Sequence, residues 1–160
     1  MHDATGVDRI DREILAILAK NARTTNKDLA VTVGLSQSAC LERVRRLTER
    51  GTLLGTHAEV DPTAFGITVQ ALVAVQLKRH TRAAVARFER SALGLPQVRA
   101  LYHLTGANDY LAHAVAQDME HLRDFTLDAI TSLPDVARVE TSLLFRRIVK
   151  PGWPDLTEDG

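Results

Sequence analysis

The sequence predicts an α+β chain of two modules. Three short helices at the N-terminus are followed by elements in the order β-α-β-β-α-β. Three observations carry this: apolar residues at helical spacing up to residue 50, a turn built on glycine between two capped helices, and apolar strand-like runs alternating with helical ones after residue 68. With 160 residues, 45% of them apolar and 25% charged, the composition is that of a folded chain of one domain or two small ones.

The first helix follows from Ile10, Ile14, Ile17 and Leu18, which recur at helical spacing and make one buried face. Asp8 is its expected N-cap, because its carboxylate can accept the free amides of the first turn. Thr25-Asn26-Lys27-Asp28 reads as a capping box opening a second helix with Leu29, Ala30 and Val33 inward. Gly34 stops that helix with a positive φ, and Leu35 anchors the turn. Ser36 caps a third helix with Cys40, Val44 and Leu47 on its buried stripe, ended by Gly51. A small residue at the crossing, Ala30, and a glycine in the turn are what a helix-turn-helix requires.

The third helix has a second face. Gln37, Ser38, Leu41, Glu42, Arg43, Arg45 and Arg46 lie off the buried stripe, and the spacing of Arg43, Arg46 and Arg50 puts them on one side. Such a helix suits a DNA groove. Arg45, Arg46 and Arg50 are expected to neutralise phosphates, with the amides of Ser36, Gln37 and Ser38 holding another. Gln37, Ser38, Glu42 and Arg43 are expected to meet base edges, and loss of Arg43 is expected to abolish specific binding without unfolding the chain. Leu53 to Val60 reads as a strand or hairpin, the expected wing.

The domain boundaries expected are 1–60 for the winged helix-turn-helix, 61–67 for a linker at Asp61-Pro62 and Gly66, 68–150 for the second module and 151–160 for a frayed tail. In the second module Val69 to Leu77 is strand-like, and Ala83 to Leu93 is helical. Val98 to Thr105 and Tyr110 to Ala116 flank the Gly106-Ala107-Asn108 connection, and Asp118 caps a helix carrying Met119, Leu122, Phe125, Ala129 and Ile130 inward. Val136 to Val149 is expected as one long last strand. The order is the ferredoxin-like one, with two helices on one face of a four-stranded antiparallel sheet. Because the strands are apolar on both faces, as in Ala71, Val73, Val75 against Leu72, Ala74, the second face is expected to pack on another copy, giving a homodimer.

Charge decides little by itself. Lysine plus arginine and aspartate plus glutamate each number 20. Residues 1–50 hold nine basic and seven acidic residues, a net of +2 that leaves −2 for the rest. No apolar run approaches the length of a membrane span, and the first residues do not read as a signal peptide, so no membrane partner and a cytoplasmic location are expected. Cys40 is the one cysteine, which excludes an internal disulfide. No nucleophile-and-base spacing and no phosphate-binding glycine loop is present, so no enzymatic activity and no cofactor are expected. The six histidines lack the compact pairing of a zinc module, and no metal site is expected, although His103 and His113 fall on the two strands of one hairpin.

These residues together resemble the Lrp/AsnC, or feast/famine, family of transcriptional regulators. The likeness runs from Val7 to Lys150 and is carried by Val7-Asp8-Arg9-Ile10-Asp11-Arg12-Glu13-Ile14-Leu15, Asp28-Leu29-Ala30, Val33-Gly34-Leu35-Ser36 and Cys40-Leu41-Glu42-Arg43-Val44-Arg45-Arg46-Leu47. Further on it includes Gly51, Asp61-Pro62, Thr105-Gly106-Ala107-Asn108-Asp109-Tyr110, Leu133-Pro134-Asp135-Val136 and Thr141-Ser142. Gln37 stands where the family often has proline, and His57 where it often has tyrosine. The resemblance implies double-stranded DNA as partner and a C-terminal effector-binding (RAM) domain. It also implies dimers that assemble further, commonly four in a ring as an octamer. It implies an amino acid or related small molecule as effector, bound near the Gly106 to Tyr110 loop at contacts between dimers. For a zwitterionic effector, the amides of Gly106, Ala107 and Asn108 suit the carboxylate and Asp109 suits the ammonium. Thr105, Thr141 and Ser142 supply hydroxyls, and Leu101, Tyr102, His103 and Tyr110 shape the side-chain pocket.

Overall fold

The computed structural model describes residues 6–157, which divide into two compact units. One comprises the chain up to Glu59 together with the segment from Ile148 onward, and the other runs from Val60 to Arg147.

In the first unit, helices α1 (Arg9–Lys20), α2 (Asn26–Thr32) and α3 (Gln37–Glu49) enclose a core of Ile14, Leu29, Ala30, Cys40 and Leu47. Each helix opens on the side-chain cap its sequence offers: Asp8 accepts the Asp11 amide, Thr25 the Asp28 amide and Ser36 the Ala39 amide. The reciprocal capping box forms at α1, with Asp8 and Asp11 as its pair. At α2 the Asp28 carboxylate takes the Thr25 hydroxyl at 2.7 Å. Gly34 has φ of +70°, so the turn between α2 and α3 uses a conformation that side chains resist. Burial pushes the Cys40 thiol up, as suits a core residue.

One expectation is corrected here. Leu53 to Val60 is not a wing hairpin: it runs without strand pairing among the described residues, and Leu54 is exposed. A hairpin needs a second strand to take its amides, and Asp61-Pro62 instead starts a short 3-10 turn over Pro62–Phe65. Part of the expected tail contacts the first helix. Arg12 Nε lies 3.4 Å from Asp155, and Trp153 and Pro154 line a cavity of about 840 Å³ together with Leu15, Leu18 and Leu53.

The second unit is a four-stranded antiparallel sheet of β1 (Val69–Leu77), β2 (Val98–His103), β3 (Tyr110–Ala116) and β4 (Val136–Leu143), in the order β2-β3-β1-β4. Helix α4 (Arg82–Leu93) and helix α5 (Met119–Asp124) supply the covering layer. The helix after Asp118 does not stay α-helical to its end. It passes into a π-helical turn over Phe125–Ile130, which keeps both Phe125 and Ile130 in the core. The last strand stops at Leu143, short of the expected Val149.

Period-two alternation sorts the sheet's faces. Ala71, Val73, Val75 and Leu77 of β1 and Tyr110, Ala112, Ala114 and Ala116 of β3 join Phe88, Ala92, Leu122, Phe125 and Ile130 in one core. The opposite face carries Leu72 and Ala74, Leu111 and Val115, and Tyr102. Most of these are only half-buried, and Tyr102 is exposed. Among the described residues no helix is long and apolar enough to cross a membrane. Phe88 is fully buried against the Tyr110 ring, centroid to centroid 4.8 Å. Phe88→Ala is expected to cost about 3–5 kcal/mol, read as a lowered urea midpoint. A midpoint equal to wild type would mean that α4 does not pack on the sheet this way.

Candidate DNA-binding and effector sites

The N-terminal end of α3 is open. Ser36, Gln37 and Ser38 are exposed, and the Ser36 hydroxyl accepts the Ala39 amide at 3.2 Å. The side chain of Asn26 donates to the Gln37 carbonyl at 2.9 Å, which ties the start of α2 to the start of α3. That bond joins residues 11 positions apart, a separation no helical or strand spacing encodes.

The three arginines of α3 and Arg50 at its C-cap do not share one role. Arg43 turns toward α1, where its Nη1 lies 2.6 Å from Asp8 Oδ2 and 2.8 Å from Asp11 Oδ1. The Asp11 side chain is 8% exposed, so this guanidinium neutralises a nearly buried carboxylate. Hydrogen bonds to both carboxylates push the Arg43 pKa up. Desolvation raises the Asp8 pKa, but the Asp11 amide and Arg43 outweigh it and hold the carboxyl below its ordinary value. Arg43 thus turns to Asp8 and Asp11, away from the outward face on which its spacing in the sequence places it.

Arg45 is held by Glu42 at 2.7 Å and by Glu49 at 2.5 Å, so Glu42 and Arg45 face each other along the helix. Both are exposed, and pairs of that kind exchange partners at little cost. Arg50 donates to the Gly6 carbonyl at 3.2 Å. Arg46 is exposed on α3. The side shared by Arg43, Arg46 and Arg50 is thus divided, two arginines serving contacts near α1 and one facing out.

The second candidate site lies at the β2–β3 connection. Thr105, Gly106 and Ala107 are exposed, Asn108 and Asp109 half-buried, and Tyr110 buried. Gly106 has φ of +119°. Two bonds fasten the loop's end to β1: the Asp109 amide donates to the Val75 carbonyl at 3.0 Å, and the Leu77 amide donates to Asp109 Oδ2 at 2.7 Å. The Tyr110 hydroxyl donates to Glu89 at 2.8 Å, and burial, followed by that bond, raises its pKa. His103 stacks on the Tyr110 ring at 4.5 Å, while Tyr102 points to the opposite face of the sheet. Glu89 and His80, whose Nδ1 is 3.2 Å from Asp109 Oδ1, were not singled out from sequence.

Thr141 and Ser142 are not brought to this loop within one chain. They pair with Val73 and Leu72 on β4, which lies on the other side of β1 from β3. Thr141 instead lines a cavity of about 330 Å³ with Leu122, Thr126 and Leu143. His103 and His113 likewise face opposite sides of the sheet, because His103 opposes Tyr110 and His113 lies an odd number of positions, three, beyond Tyr110 on the same strand. His113 is buried against Gln70 at 2.8 Å; desolvation first, then Arg147 and Arg99, lower its pKa.

A capped helix-turn-helix and a separate βαββαβ unit with an open loop define a transcriptional regulator with a DNA-binding and a ligand-binding module. Residues 7–53 match the model of a winged helix-turn-helix DNA-binding domain, and residues 70–154 match that of the Lrp/AsnC ligand binding domain. The chain belongs to the Lrp/AsnC family. It is 38% identical over 142 residues to the HTH-type transcriptional regulator AldR of Mycobacterium tuberculosis, covering 89% of this chain and 79% of that one. The crystal structure of AldR from that organism superposes with a TM-score of 0.81 at 33% identity, covering 96% of this chain and 100% of that one. A Neisseria meningitidis transcriptional regulator in complex with L-methionine gives a TM-score of 0.82 at 32% identity, covering 93% and 96%.

The Asp8–Arg43–Asp11 contact yields a stability prediction. Arg43→Met is expected to destabilise the first unit by about 2 kcal/mol, the worth of charged hydrogen bonds to a buried carboxylate. Since Asp8 is held below its ordinary value, its share is complete above about pH 4 and fades as pH falls through the lowered value. Urea melts of wild type and variant from pH 7 to pH 3 check both: the gap between them narrows on acidification. An equal midpoint at pH 7 counts against the contact.

Proposed function

We propose that the exposed start of α3 reads duplex DNA and that an amino acid, bound at the Thr105–Tyr110 loop, governs how many such helices act together. The open N-terminal turn of α3 carries the first half of this reading. Gln37 and Ser38 serve as base contacts, the Ser36–Ser38 amides and Arg46 as phosphate contacts, with Arg45, Glu42 and Arg50 at the edge of the footprint. Arg43 acts through position, holding α3 against α1.

The effector reading is supported by the outward Gly106–Asn108 segment and by Asp109, and by the L-methionine complexes named for the Neisseria relative and for a feast or famine regulatory protein of M. tuberculosis. His103 and Tyr110 wall the pocket, and Tyr102 borders it from the far face of the sheet. Thr141 and Ser142 serve such a site from a second subunit, since they lie away from the loop in their own chain. The half-buried apolar face around Leu72, Ala74 and Leu111 closes a homodimer, and further assembly toward an octamer multiplies weak single modules into tight binding. The effector shifts this assembly only by its differential affinity for the arrangements.

Selection from random duplexes is expected to return pseudo-palindromic sites. On a selected site, Arg46→Ala is expected to weaken binding and to reduce the slope of log affinity against log salt by about 1 per module. An unchanged slope removes Arg46 from the interface. Leu111→Glu is expected to turn a dimer into a monomer in sedimentation velocity; a dimer that persists places the interface elsewhere.

A further inference from the structure

We propose that His80 is a tethered occupant of the ammonium position on Asp109, displaced when a free amino acid binds. This rests on the reading that Asp109 receives the effector's α-ammonium. Asp109 has two carboxylate oxygens and its side chain is 17% exposed. Oδ2 is committed to the backbone amide of Leu77 at 2.7 Å, a donor fixed at the end of β1 that cannot swing away. That leaves Oδ1 for a ligand, and Oδ1 is where the His80 Nδ1 stands, at 3.2 Å. The His80 side chain is 68% exposed and stands on a short segment between β1 and α4, so it can turn into solvent at little cost.

The His80 ring nitrogen stands where a ligand's α-ammonium would have to stand to donate to Oδ1. The two cannot hold one place beside a single oxygen, so the ligand's ammonium replaces the ring instead of joining it. The ring thereby selects the ligand's chemical class. An α-amino acid carries the charge needed to displace it, and the corresponding α-keto acid does not. His80 also directly precedes Thr81, whose hydroxyl caps α4 by accepting the Ala84 amide, so release of the ring is felt at the start of that helix.

The test uses the full chain. The twenty amino acids are titrated calorimetrically, and the tightest binder is carried into wild type, His80→Ala and Asp109→Asn, with the His80 ring followed by ¹⁵N NMR and assigned by its loss in His80→Ala. His80→Ala is expected to bind about two- to fivefold tighter, as removal of an exposed competing contact allows. In wild type the His80 ring signal moves on saturation, and in Asp109→Asn it is already displaced without ligand while binding weakens at least tenfold. The proposal fails if His80→Ala binds no tighter than wild type, or if the ring signal stays in place at saturation. If Asp109→Asn loses binding in that case, the Asp109 reading survives alone. Wild-type affinity in Asp109→Asn, with its melting midpoint unchanged, overturns the Asp109 reading and this inference with it, as does failure of all twenty amino acids to bind.

Discussion

A guanidinium held between two carboxylates fixes where the outward helix of this protein lies. Asp8 begins α1 and Asp11 sits within its first turn, and both converge on Arg43 in the middle of α3. A nearly buried carboxylate calls for a cation, and α3, crossing the start of α1, supplies one in Arg43. The same two aspartates close the capping box, so one cluster sets the beginning of α1 and the placement of α3 together. Gln37 and Ser38 at the start of α3 and Arg46 face out, while Arg43 between them turns inward.

The second unit repeats this logic with backbone in place of a charge. Asp109 is anchored through its amide to Val75 and through Oδ2 to Leu77, so the loop before it is held against the end of β1 while its tip stays open. Tyr110, packed on Phe88 and bonded to Glu89, fixes the first residue of β3 from beneath. A loop whose base is rigid and whose tip is exposed suits a ligand site, because only the tip has to adjust when a ligand arrives.

These two arrangements also show why charge counts gave so little guidance. The chain is neutral overall, and the basic residues of α3 are mostly engaged by acidic neighbours: Arg43 by Asp8 and Asp11, Arg45 by Glu42 and Glu49. What distinguishes a DNA-facing arginine from a structural one is the partner that tertiary packing brings near it, which residue spacing along one helix does not contain.

Local chemistry was legible in the sequence alone. The caps at Asp8, Thr25, Ser36 and Asp118, the glycine turn at Gly34, the inward stripes of α1 and α3 and the β-α-β-β-α-β order all depend on neighbours within a few residues, where geometry is fixed by the chain itself. The tertiary structure decided the rest. It turned Arg43 inward across 32 residues to Asp11, set Asp109 against Leu77 across the same distance, and carried Thr141 to the far side of β1 from the loop. It also left Leu53–Val60 unpaired, and it converted the end of the last helix to a π-helical turn so that Phe125 and Ile130 both reach the core. Each of these depends on which surfaces meet once the chain has folded back on itself, and no repeat of three, four or two residues encodes such a meeting.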